Sequence, residues 1–224
     1  MNDAERVAAF ATRHLDEVLD RSGYVLYSDA KSLAPCPIYL LGHNPGGSPE
    51  DQADATVRAS LTALPDKTLN NYLDEAWVTA TGRSWSKSQA PLQRRVVWLL
   101  QQLGFEPRAV PSSNLIFVRS VDVSGSAFQD LSDLCWPAHE HVMGIVQPKL
   151  LLVFGNSNPS PYTYLVEKFA PRGEHTEQSG HGNWLCRAFT ASAGLTVVGL
   201  PHLSRYNVIG KSNVVSWIKG LTRL

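Results

Sequence analysis

Residues 38–51, IYLLGHNPGGSPED, constrain the rest of the chain more than any other stretch. Four apolar residues run without polar alternation into Gly42, His43, Asn44, Pro45, Gly46 and Gly47, and Ser48, Pro49, Glu50 and Asp51 follow. An unbroken apolar run fits a strand buried on both faces, as in a parallel α/β sheet. Proline with acids behind it reads as a helix start. The expectation is strand, glycine-rich turn, helix. In an open α/β sheet, ligands bind just past the carboxyl ends of such strands. The glycines let backbone approach a ligand, and His43 and Asn44 supply polar tips there. Taken alone, the same stretch also fits a plain tight turn that needs Gly and Pro.

The chain has 224 residues, room for one domain with a sizeable core or two small ones. Lysine plus arginine equals aspartate plus glutamate at 20 each, so there is no global basic field. Any nucleic-acid contact would use a local patch. Cys36, Cys135 and Cys186 are odd in number and lack paired spacing, which fits reduced thiols. The N-terminus is charged from Asp3 on, without the apolar core of a leader, and no apolar run reaches membrane-spanning length. These features lead us to expect a soluble, cytoplasmic, monomeric protein with a single domain over residues 1–224.

In chain order, residues 3–20 have helical periodicity, with Val7, Phe10 and Val18 or Leu19 on one stripe, and Ser22-Gly23 ends it. After an irregular lead-in comes the strand at 38–41. Residues 49–104 read as a helical insertion, broken near Leu64-Pro65 and across 81–91, with an amphipathic segment at 91–103 stopped by Gly104. A second strand is expected at 114–119, NLIFVR, and a helix at 128–146, kinked or started at Trp136-Pro137. Residues 148–155, PKLLLVFG, are the clearest buried strand, followed by a turn and a short helix at 162–169. Residues 171–183 are polar and glycine-rich and read as a loop. A candidate strand at 185–189, a buried strand at 195–200 and a closing helix at 211–221 complete the chain. Strands alternating with helices imply a three-layer α/β/α fold around a four-stranded parallel sheet.

Three strand ends deliver polar residues to one edge: His43 and Asn44, then Gly155 to Ser157, then His202 to Arg205. Together these segments resemble the uracil-DNA glycosylase superfamily over roughly residues 36–220. Gly42-His43-Asn44-Pro45-Gly46 resembles the Gly-x-Asn-Pro-Gly first motif of its mismatch-specific and single-strand-selective branches. The wider GHNPGGSPED is similar to the Gly-x-x-Pro-Gly-x-x-x-Asp motif of the iron–sulfur branch. NLIF at 114–117, Cys135-Trp136-Pro137 and QPKLLLVFG at 147–155 follow the order of that branch. Leu200-Pro201-His202-Leu203-Ser204 resembles the His-Pro-Ser second motif, with Leu203 where proline is usual.

The resemblance implies a monofunctional DNA glycosylase that flips out a base and hydrolyses its glycosidic bond. Asn44 would orient the attacking water, and His202 would donate a hydrogen bond to the departing base. Asn114 would read the base edge, with backbone around His43 and Gly46 completing the pocket. Ser204 with Arg205, and Ser157 with Asn156, would hold phosphates of the DNA partner. Arg205 and Tyr206 stand where relatives insert a wedge, and Lys211 adds local positive charge or is simply solvated.

Three departures matter. Uracil-specific relatives carry a tyrosine directly after the motif proline, where this chain has Gly46. That substitution implies room for a 5-substituted pyrimidine, such as hydroxymethylated or glucosylated cytosine of phage DNA, which would make base excision a defence activity. The usual stacking aromatic is missing, with Tyr72, Trp77 or Trp85 as substitutes or as core residues. The iron–sulfur branch needs four cysteine ligands and this chain has three, so no cofactor is expected. His139 with His141, and His175 with His181, lack matching further ligands, so no metal is expected either. Two competing classes stand beside the enzyme reading. One is a non-catalytic DNA-binding module that kept the fold. The other is a serine hydrolase using Ser157 with His202, although Gly155-Asn156-Ser157-Asn158-Pro159 lacks the closing glycine of a nucleophile elbow.

Overall fold

The computed structural model describes residues 1–78, 82–121, 126–191 and 194–222. Its centre is a six-stranded sheet formed by β1 (Ile38–Gly42), β2 (Ser112–Asn114), β3 (Leu150–Phe154), β4 (His175–Gln178), β5 (Leu185–Thr190) and β6 (Thr196–Leu200). The spatial order is β2-β1-β3-β6-β5-β4. The first four strands in that order are parallel, and β5 and β4 add an antiparallel extension. The α/β class is as expected, but the four-stranded parallel sheet is corrected: the sheet has six strands, four of them parallel and two antiparallel.

Helices cover both faces. Tyr39, Leu41, Leu151, Val153 and Val197 share one apolar cluster with α1 (Asp3–His14), α2 (Val57–Ala63), α4 (Ser126–Val146) and α5 (Pro161–Phe169). Ile38, Leu40, Leu150, Leu152, Val198 and Leu200 share the other with α3 (Pro91–Leu103) and α6 (Ser212–Thr222). Successive strand residues point to opposite faces, so a sheet buried on both sides needs apolar residues at every position. The unbroken runs IYLL and LLLVF meet that need, and each fully buried leucine contributes roughly 1.5–3 kcal/mol.

Four further expectations are corrected. The first helix stops at His14, and a single 3-10 turn at Asp16–Val18 follows. The helical insertion at 49–104 reduces to α2, a 3-10 turn at Leu64–Asp66, and α3, while residues 79–81 lie outside the described residues. Ser48 and Pro49 open a series of turns, not a helix. Residues 67–78 are held by side chains instead of a backbone ladder. Gln93 Nε2 donates to the carbonyls of Asn71 and Glu75, and Lys67 Nζ donates to the Ser28 carbonyl. Asn and Asp in such numbers compete with helix by bonding nearby backbone.

The third correction is the second strand, which spans Ser112–Asn114, not 114–119. Leu115 and Ile116 still donate to the carbonyls of Gly42 and His43, but the chain then crosses to the lead-in, where Tyr24 donates to the Phe117 carbonyl. Leu115 to Val118 are all buried, and their backbone makes scattered bonds and a single antiparallel bridge, Gly23 to Val118, instead of a continuous strand ladder. The fourth is the expected loop at 171–183, which contains β4. That strand is polar on both faces because it lies at the sheet edge, largely in solvent.

Candidate active site

The carboxyl ends of β1, β3 and β6 meet at one edge of the sheet, and the end of β2 joins them through the register pair Gly42–Asn114. Gly42 is required by close approach. A Cβ there would overlap the Asn114 amide oxygen and sit 2.9 Å from the Phe154 ring. The Phe154 ring in turn meets the His202 imidazole edge-on at 5.9 Å. Asn114, Gly42, Phe154 and His202 thus form one continuous wall drawn from four strands. His43 follows Gly42, with its ring edge-on to Phe128 at 5.0 Å.

Asn44 is held by its amide nitrogen. Nδ2 donates to the Pro45 carbonyl, the Ser120 carbonyl and the Ser120 hydroxyl, each at 3.0 Å. Three acceptors around one end of the amide fix the nitrogen there, which leaves Oδ1 as the acceptor for an outside donor. Asn44 is only partly buried, so water can reach it.

The proton on His202 is equally well fixed. The Ser204 backbone N–H donates to Nδ1 at 3.2 Å, and the Ser204 hydroxyl lies 2.7 Å from the same atom. A nitrogen that accepts a backbone N–H carries no proton, so the neutral ring bears its hydrogen on Nε2. Burial first, then the neighbouring His43 and Arg205, lower the His202 pKa to about 4. At neutral pH the residue is therefore an uncharged Nε2–H donor. Arg95 supports this turn from α3, donating to the carbonyls of Leu203 and Ser204 at 2.6 and 2.8 Å.

Asn114 is buried, beside the Tyr27 phenol. Burial pushes the Tyr27 pKa up to about 12, against the pull of Arg119 and Asn114. Arg119 is buried as well. Its Nε donates to the Ser22 hydroxyl at 3.1 Å and its Nη1 to the Gly46 carbonyl, so it anchors the turn that carries Asn44. Gly46 itself is exposed, and a Cβ added there would meet nothing within 4 Å.

The structure divides the expected DNA-contacting residues. Ser157, Ser204 and Arg205 are exposed at this edge. Asn156 instead spends its amide on the carbonyls of Leu185 and Gly199. Lys211 donates to the Gly180 carbonyl. Tyr206 is a correction: it is 0% exposed, its hydroxyl donates to the Ser179 carbonyl at 2.7 Å, and it offers no wedge. Tyr72 is core, Trp77 is partly buried, and Trp85 carries Arg83 over its ring.

Sequence reasoning missed Ser120, Arg119 and Tyr27. An arginine closing the apolar run LIFV was the one available signal, since a buried guanidinium needs partners. His139 is spoken for: Nδ1 lies 2.9 Å from the Tyr39 hydroxyl and Nε2 lies 3.0 Å from the Leu115 carbonyl. Among the described residues, no group of three or more His, Cys, Asp or Glu is arranged to hold a metal ion. No helix among them is long and apolar enough to cross a membrane. No protein-family model matches the chain, and no curated protein matches its sequence.

Proposed function

We propose that the chain is a base-excising hydrolase of DNA. More specifically, it is read as a monofunctional DNA glycosylase acting on uracil or a 5-substituted pyrimidine. The observation that carries this reading is the pairing of two fixed polar tips on one sheet edge. The Asn44 amide is oriented by Ser120, and a neutral His202 donates from Nε2.

The chemistry follows from their strengths. An amide accepts a hydrogen bond from water but is too weak a base to deprotonate it. Bond breaking therefore leads. The C1′–N bond opens, its electron pair goes to the base, and the sugar gains oxocarbenium character. His202 Nε2–H stabilises the charge growing on the base carbonyl, a contribution worth about 10²–10³ in rate for a single well-placed donor. Water held by Asn44 then adds to C1′ and releases its proton to solvent, leaving an abasic site.

The open space at Gly46 favours a pyrimidine with a substituent at C5. Hydroxymethylated and glucosylated cytosines belong to that class, and their excision from phage DNA would be a defence activity. The test is release of free base from defined DNA carrying uracil, mismatched thymine, hydroxymethylcytosine or glucosylated hydroxymethylcytosine, with Asn44→Ala alongside. Release from one substrate that vanishes in the variant supports the reading and names the base. No release with DNA still bound would leave a binding module.

A further inference from the structure

The hairpin joining β4 to β5 turns on the same edge as Gly42, Gly155 and His202. Strand β5 runs antiparallel to β6 with Arg187 opposite Gly199, so its first residue, Leu185, lies past the carboxyl end of β6. Asn156, in the turn after β3, donates to the Leu185 carbonyl at 2.7 Å and fastens the hairpin to the rim of the cleft. The turn is braced from behind as well. Tyr206 donates to the Ser179 carbonyl at 2.7 Å and Lys211 to the Gly180 carbonyl at 2.6 Å. Gly180 and Gly182 both have positive φ, 69° and 53°, which the tight reversal demands.

On this braced turn Trp184 remains 40% exposed and Leu185 37%. The His181 ring packs 4.6 Å from the indole. Neither side chain belongs to the apolar clusters on the two faces of the sheet. Exposed Ser157, Ser204 and Arg205 lie on the same edge of the sheet.

We propose that Trp184, packed against His181, is a stacking platform for an unpaired nucleobase next to the excised nucleotide, an assignment that rests on the glycosylase reading above. Every base has a π-face, so such a platform tolerates any sequence. The phosphates of the stacked nucleotide would fall toward Arg205 and the exposed serines.

The test compares wild type, Trp184→Ala and Trp184→Phe for binding to a dye-labelled single strand carrying a stable abasic analogue, at low and high salt. Base release by each is followed in parallel. The expected result is a Kd about tenfold weaker for Trp184→Ala, with the same ratio at both salt concentrations, and within about threefold of wild type for Trp184→Phe. Wild-type affinity in Trp184→Ala, or equal loss in both variants, overturns the platform. Failure of wild type to release any base overturns the glycosylase reading alone, because the affinity comparison on the abasic strand still decides the platform.

Discussion

Asn44 and Ser120 are joined by two hydrogen bonds from a single amide nitrogen, one to the serine carbonyl and one to its hydroxyl, each at 3.0 Å. The hydroxyl bond is the one a substitution can remove. Ser120→Ala leaves the carbonyl bond and the fold intact but loosens the amide. The expected outcome is a fall in kcat of about tenfold with KM nearly unchanged, because the lost energy is orientation. Steady-state kinetics on the best substrate measures it, and a change confined to KM would refute the orienting role.

His202 predicts the pH profile. Its pKa is lowered to about 4, so the neutral donor persists from pH 8 down past pH 5. Were the charged imidazolium the active form, activity would climb about tenfold for each pH unit lost between pH 8 and 5, because the charged fraction grows in that proportion above the pKa. The expected kcat is instead flat between pH 8 and about 5, with any acid-side change attributable to His202 lying nearer pH 4. His202→Ala should lower kcat by about 10²–10³ across that range.

His139 predicts the pH dependence of stability. It is fully buried and its folded pKa is lowered to about 4, chiefly by burial, from the usual 6.5. Above pH 6.5 neither state binds the proton and the residue adds no pH dependence. Below 6.5 the unfolded chain takes up the proton while the native one refuses it, so stability falls as pH drops toward 4. The expected loss from this residue is about 2–3 kcal/mol between pH 6.5 and 4.5. Urea unfolding of wild type and His139→Gln at both pH values isolates it, since glutamine does not titrate.

Gly46 predicts a change of specificity. A Cβ there meets open space, so Gly46→Tyr is compatible with the fold. A ring at this position should obstruct substituents at C5 of the pyrimidine. We expect release of 5-substituted bases to fall at least about tenfold relative to uracil, read as a ratio of kcat/KM values. An unchanged ratio would place the C5 side of the base elsewhere.

The parallel part of the sheet was legible because β1 and β3 are buried on both faces and leave no alternative pattern for their sequences. Strand β4 was not, because an edge strand in solvent has the composition of a loop. The apolar run at 115–118 was misread as strand because hydrophobicity records burial, and burial here is reached without a regular ladder. Asn44 and His202 could be singled out from their positions after strands. Their orientation could not, since it depends on Ser120, 76 residues downstream of Asn44, and on the hydrogen bonds of Ser204. Tyr206 was misassigned for the opposite reason. The resemblance put it where relatives insert a wedge, but in this chain it is buried and anchors the neighbouring hairpin.

The two margins of the sheet differ in how they end. At β2 the chain's own lead-in closes the row, with the Tyr27 N–H bonded to the Ser112 carbonyl. At β4 the outer row carries Glu177, and Asn213 of α6 donates to the Gln178 carbonyl, occupying one of the acceptors a foreign strand would need. Pairing along an open edge is how exposed sheets recruit copies of themselves, and these contacts take up part of each margin. A foreign strand at β2 would have to displace residues 26–28, and one at β4 would have to displace the Asn213 amide.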